Sequence, residues 1–269
     1  MSTKLKHHYL AVKKVQAVKT VADQSGPSHE PLAIEAPLQI CINGDPFTMT
    51  MRTPGDDREL VRGILQSERI VSSKLRLNPA DEAVDPQTGI IDRIELAIAE
   101  DQILTDFRNN RSLMSVASCG LCGKKEICNL ILQTEEPLRR VDSWDGGRIE
   151  QLMDQMAAQQ KLFQATGGTH AAALFNTAYE MIALHEDVGR HNAVDKAVGD
   201  LLLRQKLHEA SVLFVSGRVS YEIVAKARTG GIPVLLAVSA PSSLSVDMAK
   251  EFGIQLYAFC RGNKFTRFA

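Results

Sequence analysis

Hydrophobic and polar positions follow two rhythms along this chain. In "LQICINGDPFTMTMRTP" two β-rich runs flank "NGD", which predicts a hairpin, because Asn43 and Gly44 tolerate the positive φ of a tight turn. "GDDRELVRGILQSERI" then repeats every three to four residues. It predicts a helix with Leu60, Val61, Ile64 and Leu65 in one apolar stripe and Asp56 or Asp57 as its cap. "GIIDRIELAIA" alternates again and reads as a strand. These elements predict a small α+β domain over 31–148. Residues 1–30 are basic at first and then turn-rich ("ADQSGPSHEP"), and predict a flexible N-terminal arm ending in a linker.

Further on, "KKEICNLILQT" reads as a helix. "RIEQLMDQMAAQQKLF" predicts another, with Ile149, Leu152, Met153, Met156 and Leu162 on one face. The domain over 149–269 then changes character. Strand-like "HAAALF" and "MIALHED" lead into a helix; "VLFV" meets "SGRVS" and a helix; "PVLLAV" meets "SAPSS" and another; "IQLYAF" closes the series. Strands alternating with helices predict an α/β fold whose sheet contains parallel βαβ units.

Composition narrows the class more than the fold. The 269 residues leave room for two domains with a sizeable core, and 44% apolar against 23% charged residues indicate a soluble globular chain. A net charge of −1 gives no reason to expect nucleic-acid binding. The N-terminus lacks a signal-peptide pattern, and no apolar run reaches the roughly 18 residues of a membrane span. A cytoplasmic location is the expectation, and with it five cysteines used for packing, metal or redox chemistry rather than structural disulfides.

In open α/β sheets, ligands sit beyond the carboxyl ends of the strands. Three loops should meet there: "HEDVGRHNAVDK", "SGRVS" and "SAPSS". Each leads into a helix N-terminus, where free N–H groups favour an anion. Gly217 permits close backbone approach; Ser216, Ser220, Ser242 and Ser243 add hydroxyls; Arg190 and Arg218 add fixed charge. Arg261 to Lys264 ("RGNK") adds cationic groups after the last strand. The first loop is also dense in polar groups, with His185, Glu186, Asp187, Arg190, His191, Asn192, Asp195 and Lys196, and His170 can lie nearby. No GxGxxG or GxxxxGK[ST] occurs, so neither a usual dinucleotide site nor a P-loop is supported.

"SVASCGLCGKKE" places Cys119 and Cys122 in a CxxC. Zinc would need two more ligands, and no second CxxC supplies them. A dithiol–disulfide couple is open to the pair. So is a nucleophilic role, in which a thiolate activated by Lys124 and Lys125 carries sulfur as a persulfide and the second thiol releases it. The residues alone do not rank the last two. Cys41 and Cys128 fall on apolar positions and read as core, while Cys260 adjoins the basic loop.

Taken in order, "SCGLCGK", "ATGGTHAAAL", "EDVGRHNAVDKAVG", "SGRVSYEIVAKA", "GIPVLLAVSAPSSLSVDMA" and "FCRGNKF" resemble the formate dehydrogenase accessory proteins, the FdhD sulfurtransferase family. The resemblance omits only the N-terminal arm. It implies a C-terminal α/β domain like cytidine deaminase. The deaminase signature is missing, since no PCxxC follows and no glutamate stands two residues after His170. It also implies an activity: persulfide sulfur is taken from a cysteine desulfurase and delivered to a molybdenum (or tungsten) bis-guanine-dinucleotide pterin cofactor, the client being formate dehydrogenase. Carried over by position, Cys119 is the persulfide carrier, Cys122 its assistant, and Phe259, Cys260, Arg261, Gly262, Asn263 and Lys264 the cofactor-contacting stretch. Ser216, Gly217, Arg218, Ser242, Arg190 and His191 join them as the anion-binding edge. No resident zinc is expected, and a homodimer would offer equivalent sites to a two-lobed cofactor. Two other functions compete: a chaperone that binds the cofactor without transferring sulfur, and a zinc-stabilised binding module.

Overall fold

A computed structural model describes residues 11–77, 81–108, 138–139 and 146–269. The chain begins with an antiparallel ribbon of β1 (Val12–Val21) and β2 (Gln24–Ala33), in register from Val12 opposite Ala33 to Val21 opposite Gln24. This corrects the loose arm expected from the sequence. The β-branched valines and threonine of "VKKVQAVKTV" suit a strand, and Ala22 and Asp23, both at positive φ, close the turn. Pro27 and Pro31 stand in β2, where a two-stranded ribbon leaves an outer edge free of ladder bonds.

A four-stranded sheet follows, in the order β4-β3-β6-β5. It is built from β3 (Ala36–Ile42), β4 (Asp45–Arg52), β5 (Asp81–Val84) and β6 (Ile91–Leu96). Asn43 and Gly44, with φ of 53° and 86°, turn β3 into β4 as expected. Helix α1 (Asp57–Ser67) covers this sheet, burying Leu60, Val61, Ile64 and Leu65 against Leu38, Ile40, Ile42 and Phe47. The cap differs from expectation. Asp56 holds the N-cap position but accepts no capping hydrogen bond; its carboxylate faces His185, and that of Asp57 pairs with the buried Arg52 at 2.6 Å. Two stronger cationic partners take the carboxylates that a cap would have used.

The second sheet has six strands in the order β12-β11-β10-β9-β7-β8. These are β7 (His170–Phe175), β8 (Met181–Asp187), β9 (Val212–Val215), β10 (Val234–Ala237), β11 (Gln255–Arg261) and β12 (Lys264–Arg267). Strands β9, β10 and β11 run parallel, as the alternation predicts, whereas β7 pairs antiparallel with both β8 and β9, and β12 antiparallel with β11. The sheet is therefore mixed, because β7–β8 and β11–β12 are joined by turns too short for a crossover. Both faces are buried. Leu213, Val215, Leu235 and Leu256 pack with α4 (Arg190–Leu203), α5 (Tyr221–Thr229) and α6 (Ser243–Phe252). Val212, Phe214, Val234 and Leu236 pack with Ile149, Leu152 and Met156 of α2 (Gly146–Gln159). The single helix expected over "RIEQLMDQMAAQQKLF" breaks at Gln160, and a short α3 (Lys161–Thr166) follows. The Glu186 carboxylate causes the new start by accepting from the backbone N–H groups of Leu162 and Phe163, both at 2.8 Å.

The two sheets are joined through α1 and α4, whose backbones touch at Gly63 and Gly199. A Cβ on Gly199 would collide with the carbonyl oxygen of Glu59, and one on Gly63 with that of Asp195. Polar residues line the seam. Lys196 is 1% exposed and reaches Asp187 and the Thr53 carbonyl, both at 2.8 Å. Asn192 donates to the Met51 carbonyl at 2.8 Å, and Asp195 receives Lys226 at 2.7 Å while Ser67 lies 3.2 Å away. His185 stands between Asp56 at 3.0 Å and Asp200 at 3.3 Å.

Candidate functional site

Strands β8, β9, β10 and β11 end, and β7 and β12 begin, on one edge of the larger sheet. Direct contacts draw their loops together. A Cβ on Gly217 would lie 3.1 Å from Nδ1 of His170 and 3.5 Å from Cβ of Arg190, so glycine is what lets the β9 loop nest against β7 and α4. Ser216 ties the same loop to β7, its hydroxyl accepting from Ala171 N–H at 2.9 Å. The loops after β9 and β10 exchange bonds, Val219 N–H to the Ala240 carbonyl at 3.1 Å and Ser242 N–H to that of Val219 at 3.0 Å. The loop after β10 meets β11 where Phe259 N–H reaches the Ser239 carbonyl at 3.2 Å.

Helices α4, α5 and α6 all start at this edge, as the sequence predicts. Ser242 caps α6 by accepting from Ser245 N–H at 3.2 Å. Ser220 holds the N-cap position of α5, but its hydroxyl is 3.1 Å from Nε2 of His191. "RGNK" is a turn rather than a trailing loop: Arg261 pairs with Lys264 across Gly262 and Asn263, with Gly262 at a φ of 53°. A bulge just before the turn breaks the strand's alternation, so that Cys260 shares the buried face of Tyr257, three residues back. Phe259, at a φ of 57°, is 44% exposed, while Cys260 is fully buried among Phe175, Leu236 and Tyr257. Burial pushes the Cys260 thiol up to about 11, so it belongs to the core and not to a ligand surface, a correction to its expected role.

The edge carries an excess of positive charge. Arg190, Arg218, Arg261 and Lys264 make no ion pair with a described residue, and the buried Nε of Arg190 has no hydrogen-bond partner among them. Two histidines register this field. Burial holds His170 below its ordinary value, helped by Arg190 and Arg218. Burial also takes His191 down to about 4, with Lys226 and Arg190 adding to the effect and Glu222 opposing it. Both imidazoles are therefore neutral near pH 7, offering one N–H donor each beside fixed cations. Nothing in the sequence marks Lys226, because a lysine amid apolar helical positions reads as a snorkelling surface residue.

The polar density of "HEDVGRHNAVDK" thus divides in two. His185, Glu186, Asp187, Asn192, Asp195 and Lys196 build the seam and cap α3, leaving Arg190 and His191 for the edge. Cys119 and Cys122 lie outside the described residues, as do Cys128 and "KKEICNLILQT". Among the described residues no group of His, Cys, Asp or Glu could hold a metal ion, and no helix is long and apolar enough to cross a membrane.

Known proteins align with the chain over nearly its whole length. The family model "FdhD/NarQ family" matches residues 33–269. "Sulfur carrier protein FdhD" of Mycobacterium tuberculosis is 42% identical over 258 residues, covering 91% of this chain and 93% of its own. The protein of that name from Streptomyces coelicolor is 40% identical, covering 96% of this chain and 93% of its own. The crystal structure of a proposed formate dehydrogenase accessory protein from Desulfotalea psychrophila superposes with a TM-score of 0.74 at 25% identity, covering 96% of each chain.

Proposed function

The chain belongs to the FdhD/NarQ family, and from that premise we propose that it is a sulfur carrier in formate dehydrogenase maturation. In this reading it is a cytoplasmic sulfurtransferase. It accepts sulfur from a cysteine desulfurase and passes it to a molybdenum (or tungsten) bis-guanine-dinucleotide pterin cofactor, its substrate. The Cys119 thiolate attacks the outer sulfur of the donor's persulfide. The new S–S bond forms on Cys119 and the donor leaves as a thiolate. Attack by the Cys122 thiolate on the inner sulfur then releases the outer one as hydrosulfide and leaves a Cys119–Cys122 disulfide, so electrons balance within the pair.

One observation in the structure carries the reading: the uncompensated cations of the loop edge. Two pyrophosphates need several fixed positive charges and N–H donors, and Arg190, Arg218, Arg261 and Lys264 stand there with three helix N-termini. The neutral His170 and His191 add donors, Ser216 and Ser242 hydroxyls, and the exposed Phe259 ring a flat surface for a base. A homodimer would place two such edges against the two halves of the cofactor.

The test is mass spectrometry of the full-length chain after incubation with a cysteine desulfurase and cysteine. The expected product carries one extra sulfur atom, labile to reductant, that maps to Cys119 and disappears in Cys119→Ala. Labile sulfur confined to Cys41, Cys128 or Cys260 would refute the assignment. If Cys119→Ala and Cys122→Ala both still activate formate dehydrogenase fully, the chain is a cofactor-binding chaperone instead.

A further inference from the structure

The far end of α4 carries a second cationic cleft. Arg190 opens that helix and Leu202 to Gln205 close it, about 18 Å away at 1.5 Å per residue. There Leu202, Arg204 and Gln205 face Arg62 of α1 and Leu75 and Arg76 of the loop after it, around a cleft of about 320 Å³. Arg62 is 1% exposed. Its Nη2 donates to the carbonyls of Ser72 and Ser73, both at 3.1 Å, which fixes the plane of the guanidinium. Its Nη1 has no partner among the described residues.

The charge there is unbalanced. Among the described residues no carboxylate lines the cleft. Asp200, one turn back from Arg204 on α4, is already held by Arg204 at 2.7 Å and by His185. Arg76 donates to Gln205 Oε1 at 2.8 Å, a neutral partner. Arg62 makes no ion pair with a described residue, and burial alone draws it down to about 10. A buried guanidinium without a counter-charge is costly to keep, and an anion seated beside it removes that cost. Arginine forks match the two oxygens of a carboxylate or phosphate, and the leucines between them offer an apolar wall. The volume falls at the lower end of small-molecule sites.

We propose that this cleft binds a small organic oxyanion, a carboxylate or phosphate held by Arg62 and Arg76 with its apolar part against Leu75 and Leu202. The site is separate from the loop edge and does not depend on the function assigned to it. The full-length chain is titrated calorimetrically with hexanoate and with hexyl phosphate, hexanol serving as the uncharged probe. At least one anion should bind saturably at a site that survives Arg218→Ala, and hexanol should not. Binding should persist in Arg218→Ala and weaken by about tenfold or more in Arg62→Met and Arg76→Gln. Tighter binding of one anion identifies the head group. Should Arg62→Met fail to fold, Arg76→Gln decides, since its side chain is exposed. No binding of either anion, equal binding of hexanol, or binding lost in Arg218→Ala yet untouched in Arg76→Gln would overturn the proposal.

Discussion

His185 and His191 stand on either side of the junction between β8 and α4, in one run of polar residues, yet their surroundings are opposite. Burial disfavours a charge on His185, but the Asp200 and Asp56 carboxylates outweigh it and raise the imidazole to about 9. Burial and neighbouring cations take His191 down to about 4. The seam around His185 is charge-balanced: Lys196 has Asp187, Lys226 has Asp195 and Arg52 has Asp57. The edge around His191 has cations to spare. Polar density therefore does not mark a binding site by itself; an unmatched sign of charge does. Balanced buried pairs hold parts of a fold in one arrangement, whereas unmatched cations wait for a ligand.

If the seam is structural, damage there should cost the most. Gly199→Ala drives a methyl group into the Glu59 carbonyl where α1 crosses α4, and neither backbone can retreat without parting the two sheets. The expected loss is about 3 kcal/mol or more in denaturant unfolding, or failure to accumulate folded protein. Gly26→Ala, with nothing within 4 Å of the new methyl, should change stability by less than about 0.5 kcal/mol. Equal stability for both variants would remove the close crossing from the account.

The next effect depends on pH. His185 is raised above its unfolded value of 6.5, so the stability it contributes is complete below pH 6.5 and is lost as pH climbs through about 9. With the imidazole 11% exposed, that contribution is at most about 3 kcal/mol, the cost of burying the charge already being contained in the raised value. Melting temperature should fall between pH 6.5 and 9 in the natural chain, and much less in His185→Gln. Parallel pH profiles for the two proteins would show that the Asp56 and Asp200 contacts add nothing to the seam.

Much of this was legible from periodicity. The hairpin at Asn43–Gly44, the stripe of α1 and the parallel β9–β10–β11 unit follow from local pattern, because each element satisfies its own neighbours first. The ribbon over 12–33 did not, since its prolines and glycine read as a linker until a pairing partner is known. The site was legible as a set of loops and not as a division of labour. Arg190 and His191 share a stretch with Asp187, Asn192 and Lys196, and only the approach of Thr53 and Met51 from the other sheet shows which groups are already engaged. Cys260 misled for the opposite reason: a one-residue bulge, invisible in sequence, turns it into the core and Phe259 out.

The smallest effect tests the edge half of the comparison. His191 is neutral near pH 7 because burial, Lys226, Arg190 and the nearby His170 disfavour its charge, against the favourable carboxylate of Glu222 at 3.8 Å. A bound anion adds a second favourable charge and must raise the imidazole toward 6.5. Binding is then linked to proton uptake, by the same thermodynamics that links pKa to stability. Sulfate suits the measurement, since it does not itself titrate in this range. Titrated at pH 5.5 in buffers of different ionisation enthalpy, it should take up a few tenths of a proton per ion bound, and almost none at pH 8. His170 shares the Arg190 and Arg218 field, so His191→Asn should remove part of the uptake and His170→Asn part of the remainder. Sulfate that binds with no proton linkage, or with linkage indifferent to both substitutions, would mean that the anion settles away from these imidazoles and that the charge excess at the edge serves something other than a ligand at the loops after β8 and β9.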